Sequence, residues 1–216
     1  MNFLDNKDSN KPEISHYFSE TEHSVSNPQT FTYSFRANTY TFTTDTGVFS
    51  VGKMDKATDI LLHNIPPLQG SLLDMGCGYG AIGIVLGKEY NLNITQIDIN
   101  PRAVRLTQKN AAKNGVVSRI LHSNIFSQFS DPSQASQLNL FDSIVINPPI
   151  HAGKNVIFDM YEASYTHLNN DGRLFIVILK KHGADSTIAH LTKLFGNCET
   201  LYKKKGYHIL CSTKIK

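Results

Sequence analysis

Asn147-Pro148-Pro149-Ile150 follows a short apolar run, Phe141-Asp142-Ser143-Ile144-Val145-Ile146, that reads as a buried strand. Proline fixes its own φ and pushes the residue before it toward the extended region, so Asn-Pro-Pro at a strand end makes a stiff turn. In an α/β sheet the carboxyl ends of the strands face the ligand crevice. There the Asn147 side chain and the Pro148 carbonyl present fixed acceptors to an amino group. A lone Asn-Pro-Pro is as readily an ordinary turn, and a second motif upstream gives this one its meaning.

That motif is Leu72-Leu73-Asp74-Met75-Gly76-Cys77-Gly78-Tyr79-Gly80, an apolar strand running into a glycine-rich turn, with a helix starting near Ala81. Glycine permits positive φ and lets a ligand approach the backbone closely. Gly76, Gly78 and Ala81 also fit the dinucleotide fingerprint, with the acid Asp98 about twenty residues on. An ionised carboxylate only accepts hydrogen bonds, so Asp98 can take two ribose hydroxyls. The plainer reading of Asp98 is a cap ahead of Asn100-Pro101. The loop alone therefore says adenosine-containing cofactor, and a dehydrogenase stays open. Asn147-Pro148-Pro149 argues against that reading, because hydride transfer has no use for acceptors around an amino group.

From Ser71 onward strands and helices alternate, which predicts a parallel sheet covered by helices on both faces. Strands are expected near 71–75, 93–98, 118–122, 142–146, 172–180, 198–203 and 206–213, and helices near 79–89, 101–113, 154–168 and 183–195. Lys203-Lys204-Lys205-Gly206 between the last two strands suggests a closing hairpin. Phe31 to Ser50 alternates apolar and polar residues and is rich in Thr, Phe and Tyr, which predicts β-hairpins with Gly47 as a turn. A helix is expected over Asp55 to His63. Residues 1–13 read as a disordered tail, and Ser127 to Asn139, rich in Ser and Gln, reads as a loop.

The chain has 216 residues, enough to bury a large core without disulfide or metal staples. Three cysteines and no Cys-x-x-Cys pair suit reduced thiols in a cytosol, and no metal site is expected. No secretory signal or apolar run of membrane-spanning length stands out. Net charge is +3 but unevenly placed: residues 1–30 carry −3, residues 31–171 carry −1, and residues 172–216 carry +7. The basic end, with Lys180-Lys181 and Lys203-Lys204-Lys205, can track phosphates; the plainer reading is a solvated loop whose lysines discourage edge pairing.

Asp74-x-Gly76-x-Gly78-x-Gly80, the acid Asp98 and Asn147-Pro148-Pro149 together resemble a class I S-adenosylmethionine (SAM) methyltransferase acting on an amino nitrogen. With His16-Tyr17-Phe18-Ser19, Thr44-Asp45-x-Gly47-Val48-Phe49-Ser50 and Asn147 through Lys154, the chain resembles the small-subunit ribosomal RNA guanine-N2 methyltransferases over roughly residues 14 to 214. The resemblance implies a Rossmann-like, seven-stranded, mostly parallel α/β sheet with one antiparallel strand. It implies an N-terminal hairpin extension over 14–63 on the substrate side and a catalytic domain over 64–216. It implies SAM as cofactor, held by Asp74, Gly76, Cys77, Gly78, Asp98, Ile99, Asn124 and Asn147. Asn124 stands where this family usually has an acid that accepts the adenine amino hydrogen. Asn147 and Pro148 are the expected catalytic groups, and Phe49, Pro149, Ile150 and His151 the substrate contacts. Ile150 replaces an aromatic common at that place, so Phe49 is a candidate for the missing wall. A cytoplasmic enzyme acting on ribosomal RNA or the small subunit is implied. The competing readings are an amino methyltransferase acting on adenine or a protein glutamine, and a catalytically idle RNA-binding module with the same fold.

Overall fold

The computed structural model describes residues 24–127 and 140–216. The expected tail 1–13, the His16–Ser19 motif and all of the expected loop except Ser127 lie outside those residues.

The Thr- and aromatic-rich alternation forms one antiparallel hairpin, β1 (Gln29–Phe35) with β2 (Asn38–Thr44), in register from Gln29↔Thr44 to Phe35↔Asn38. The expectation of several hairpins turning at Gly47 is corrected. The turn is at Arg36-Ala37, and Arg36 adopts φ 52°. Pairing stops at Thr44 because the buried Asp45 carboxylate draws the local backbone to itself. It accepts from Ser26 Oγ (2.7 Å), Asn27 N (2.6 Å) and Thr46 N (2.8 Å). Short acidic side chains compete with sheet ladders in this way.

After the hairpin come α1 (Lys56–Asn64), β3 (Ser71–Met75), α2 (Ala81–Tyr90), β4 (Asn93–Asp98), α3 (Pro101–Lys113), β5 (Ser118–His122), β6 (Phe141–Ile146), α4 (Lys154–His167), β7 (Leu168–Leu179), α5 (Ala184–Phe195), β8 (Glu199–Lys204) and β9 (Tyr207–Thr213). The large sheet has the order β5-β4-β3-β6-β7-β9-β8. β9 runs antiparallel to both neighbours, and the remaining strands are parallel. Strand β7 begins at Leu168, earlier than its polar Asn169-Asn170-Asp171-Gly172 suggests. Leu168 pairs with Phe141 across a register shift, and Asp171 N donates to Lys214 O.

The two-residue period of the strands sorts the core into two layers. Leu72, Val145, Phe175 and Ile209 face α1, α2, α3 and the hairpin. Leu73, Ile144, Leu174 and Leu210 face α4 and α5. The hairpin belongs to the first layer: Phe35, Tyr40 and Phe42 are buried in the same cluster as Leu72 and Ile84. Two asparagine side chains on α3 dock it. Asn110 accepts from Thr43 N (2.8 Å) and donates to Thr43 O (2.9 Å), and Asn114 does the same with Thr41 at 2.9 Å each way. Side-chain amides thus pair the free edge of β2 as another strand would.

Candidate active site

A crevice of about 480 Å3 opens at the carboxyl ends of β3, β4, β6 and β7. Every residue expected to bind cofactor or substrate lines it except Asp74.

The β3–α2 turn is pinned to β4: Gly76 N and Cys77 N both donate to Ile97 O, at 2.9 and 3.0 Å. Gly76 and Gly78 have φ 74° and 59°. A Cβ on Gly78 would meet nothing within 4 Å, and one on Gly76 only Met160 Cε at 3.9 Å. Both glycines therefore leave room for a ligand against bare backbone. Gly80 is different, since its Cβ would press on Ile84 and Thr107 at 2.9 Å. Its bareness serves the packing of α2 on α3. The Cys77 thiol is buried against Thr107 Oγ1 at 3.5 Å, and that burial pushes it well above the usual thiol range.

Asp74 orders the turn from beneath. It shares the strand face of Leu72, which points toward α2, and it is 1% exposed. Its Oδ2 accepts from Gly83 N (2.9 Å) and Gln96 Nε2 (3.1 Å), fixing the start of α2 beneath the loop. Its Oδ1 is buried with no hydrogen-bond partner among the described residues. Burial lifts its pKa to about 6 against the downward pull of the two donors, and Asp98 adds to the rise. A folded pKa raised above 3.8 means the native state holds the proton more tightly than the unfolded chain does. Stability from this group is then gained as pH falls from about 6 to 4, and the ionised form costs on the order of 3 kcal/mol at neutral pH. Thermal unfolding of wild type and Asp74→Asn across that window should show a pH slope in the wild type that the variant lacks. Identical slopes would mean that Asp74 stays ionised throughout.

Asp98 ends β4 and lines the crevice, with each carboxylate oxygen held by a different backbone N–H. Oδ2 accepts from Gly78 N and Oδ1 from Asn100 N, both at 2.8 Å. Burial raises its pKa while these donors and His122 oppose the rise. Two backbone bonds leave further acceptor positions on an ionised carboxylate for hydroxyl groups. The capping role is filled by Asn100, which accepts from Arg102 N at 2.9 Å. Ile99 and the exposed Asn124 line the same end of the crevice.

At the other end, Asn147 Nδ2 donates to Asp55 Oδ2 (3.2 Å) and Thr58 Oγ1 (3.1 Å). A carboxylate only accepts, so the amide nitrogen must face Asp55. The amide is thereby oriented, and Asn147 lines the crevice with no hydrogen bond to its Oδ1 among the described residues. Buried Pro148 follows, then Pro149, with Ile150–Ala152 in a short 3-10 turn closed by Ala152 N on Pro149 O at 2.9 Å. Ile150 and His151 border the crevice. Phe49 is 61% exposed at its rim, so it is no core residue. Asn100 Nδ2 anchors the loop carrying it through Gly47 O at 2.9 Å.

Sequence reasoning missed Asp55 and Thr58. Asp55 was legible only as the start of a helix, and it does cap α1 by accepting from Thr58 N at 2.9 Å. Nothing in one sequence shows that the cap also grips a side chain 92 residues away. Among the described residues no group of three or more His, Cys, Asp or Glu is placed to hold a metal ion, and no helix is long and apolar enough to cross a membrane.

Residues 39–211 match the family "Methyltransferase small domain". The chain is 42% identical over 204 residues to the uncharacterized protein YbxB of Bacillus subtilis, covering 93% of this chain and 98% of that protein. It is 37% identical over 136 residues to ribosomal RNA small subunit methyltransferase C of Aeromonas hydrophila, covering 61% of this chain and 37% of that one. Among solved structures, the T. thermophilus 16S rRNA N2 G1207 methyltransferase, in complex with AdoMet and guanosine, superposes with a TM-score of 0.75 at 28% identity. That alignment covers 87% of this chain and 50% of the other. The chain thus spans half or less of the ribosomal RNA methyltransferases named here. With the glycine turn, the Asp98 floor and the oriented Asn147 in one crevice, these likenesses place the chain: it belongs to the methyltransferase small-domain family and has the Rossmann-like methyltransferase fold.

Proposed function

We propose that this protein methylates the exocyclic amino group of a guanine in small-subunit ribosomal RNA. The observation that carries the reading is the fixed amide of Asn147, whose nitrogen is occupied by Asp55 and Thr58 and whose oxygen remains to accept.

The cofactor is S-adenosylmethionine. When bound, it supplies a methyl group on a cationic sulfur, which an amino lone pair displaces, leaving S-adenosylhomocysteine and a proton released to water. The residues present fit it. Gly76 and Gly78 leave bare backbone for its close approach. Asp98 would accept from the ribose hydroxyls, Ile99 would lie along the adenine, and Asn124 would accept from the adenine amino group, since all three line the crevice. Guanine's amino nitrogen is a poor nucleophile because its lone pair is delocalised into the ring. Asn147 Oδ1 and the Pro148 carbonyl accept its N–H bonds and favour the pyramidal form that attacks. The protein's contribution is position and fixed dipoles rather than a strong base. Phe49, Pro149, Ile150 and His151 wall the base, which must be single-stranded or flipped out to enter. The guanosine held by the 28% identical T. thermophilus relative supports guanine over adenine or glutamine.

Calorimetry separates this reading from an idle module and from a dehydrogenase. The wild type should bind SAM and S-adenosylhomocysteine, and not NAD. Asp98→Ala should weaken SAM binding by roughly 1.5–3 kcal/mol, the value of hydrogen bonds to a charged group. Tight NAD binding with no response to SAM would end the methyltransferase reading.

A further inference from the structure

Two lysine groups far apart in the sequence meet at one rim of the crevice. Lys180 and Lys181 lie in the turn after β7, and Lys203, Lys204 and Lys205 in the β8–β9 hairpin. Lys180 N donates to Gly206 O at 2.7 Å, tying the two turns together. Tyr207 is the hub, since it pairs with Leu179 on one side and Lys204 on the other and itself lines the crevice. Lys56, in the first turn of α1, places its ammonium 5.8 Å from the centre of the Tyr207 ring. His182, beside Lys181, also borders the crevice.

All six lysines are exposed, and none stands in an ion pair among the described residues. The acids near this group are Asp185, which acts on His208, and Asp55 and Asp159, which line the crevice. Six exposed lysines against these three acids leave the rim positive on balance, and Tyr207 and His182 make it continuous with the site where a base enters. A strand whose base is drawn into a crevice must carry its flanking phosphates over the rim, and a basic groove beside a base pocket suits single-stranded nucleic acid.

We propose that Lys56, Lys180, Lys181, Lys204 and Lys205 form a phosphate track for the RNA strand whose base enters the crevice, an assignment that rests on the RNA methyltransferase reading. The competing use of these lysines is to guard the exposed edge at β8 against pairing with another chain.

The test compares two triple variants of the whole chain with the same loss of charge. One is Lys181→Gln, Lys204→Gln, Lys205→Gln. The other is Lys109→Gln, Lys113→Gln, Lys193→Gln, at exposed positions on α3 and α5. Binding of a short single-stranded RNA containing guanine is measured by fluorescence anisotropy over a salt series, with SAM affinity measured alongside. The track variant should flatten log K against log salt by about 2, near 0.7 for each phosphate left without its lysine. Its KM for RNA should rise, while its SAM affinity stays at the wild-type value. The remote variant should keep the wild-type slope. Equal slopes for the two variants would overturn the track and leave the lysines as edge guards. A wild type that binds SAM but shows no RNA affinity at any salt, or that methylates a protein instead, would overturn the RNA reading and the track with it.

Discussion

Asn147→Ala should methylate the proposed RNA substrate roughly 10²–10³-fold more slowly than wild type in single turnover with SAM saturating, the scale of removing one preorganised polar group from a site. The loss falls on the chemical step, because the acceptor matters most as the amino nitrogen becomes pyramidal. SAM affinity stays close to wild type, since the Gly76–Gly78 turn and Asp98 hold their places without Asn147. Asn147→Asp is the more telling change. It keeps an acceptor in the crevice, but it also puts a second carboxylate where Nδ2 now stands, 3.2 Å from Asp55 Oδ2. Two carboxylates that close do not both ionise cheaply, and one of them holds a proton. The Asp variant should therefore be nearly as slow as the Ala variant in mild alkali and recover part of its rate as pH falls and the pair shares a proton. An Ala variant within about threefold of wild type would make Asn147 a turn residue and move the site elsewhere.

The sheet from Ser71 onward was legible because the chain announces each piece locally. Apolar runs, the Pro101 helix start and the glycine turn are all signals within a few residues of what they specify. The crevice lining was legible for the same reason, since strand ends and the turns after them lie together in any parallel sheet. Partners and limits were less legible. The motif names Asp74 but not that the two-residue period of β3 sets its side chain under α2, against Gly83 N and Gln96. The motif shows the residue and not its direction. The hairpin region was overread because the alternation runs on to Ser50, while Asp45 ends the ladder by capturing the Asn27 and Thr46 backbone N–H groups and the Ser26 hydroxyl. Long-range partners such as Asn110 with Thr43, or Asp55 with Asn147, leave no trace in a single sequence.

Asp55 should act on the reaction through Asn147, and Asp55→Ser isolates that role. Serine caps a helix about as well as aspartate, so α1 keeps its Thr58 N–H bond and the melting temperature should hold. Asp55 Oδ2 accepts from both Thr58 N and Asn147 Nδ2, and serine offers there a neutral oxygen on a fixed, single-oxygen side chain that, once held by the cap, grips the amide far less strongly than a carboxylate does. Thr58 Oγ1 is then the main restraint on the amide, which is free to turn its nitrogen toward the crevice and present a donor where an acceptor is needed. The turnover rate should fall about tenfold to a hundredfold, in keeping with a lost hydrogen bond to a charged group, with little change in KM for SAM or RNA. The decisive measurement repeats the substitution in the Asn147→Ala background. A residue that works by orienting Asn147 has nothing left to orient there, so Asp55→Ser should change the rate less than about twofold, and the coupling should account for nearly the whole single effect. Equal losses in both backgrounds would show that Asp55 meets the substrate itself or supports the crevice by another route.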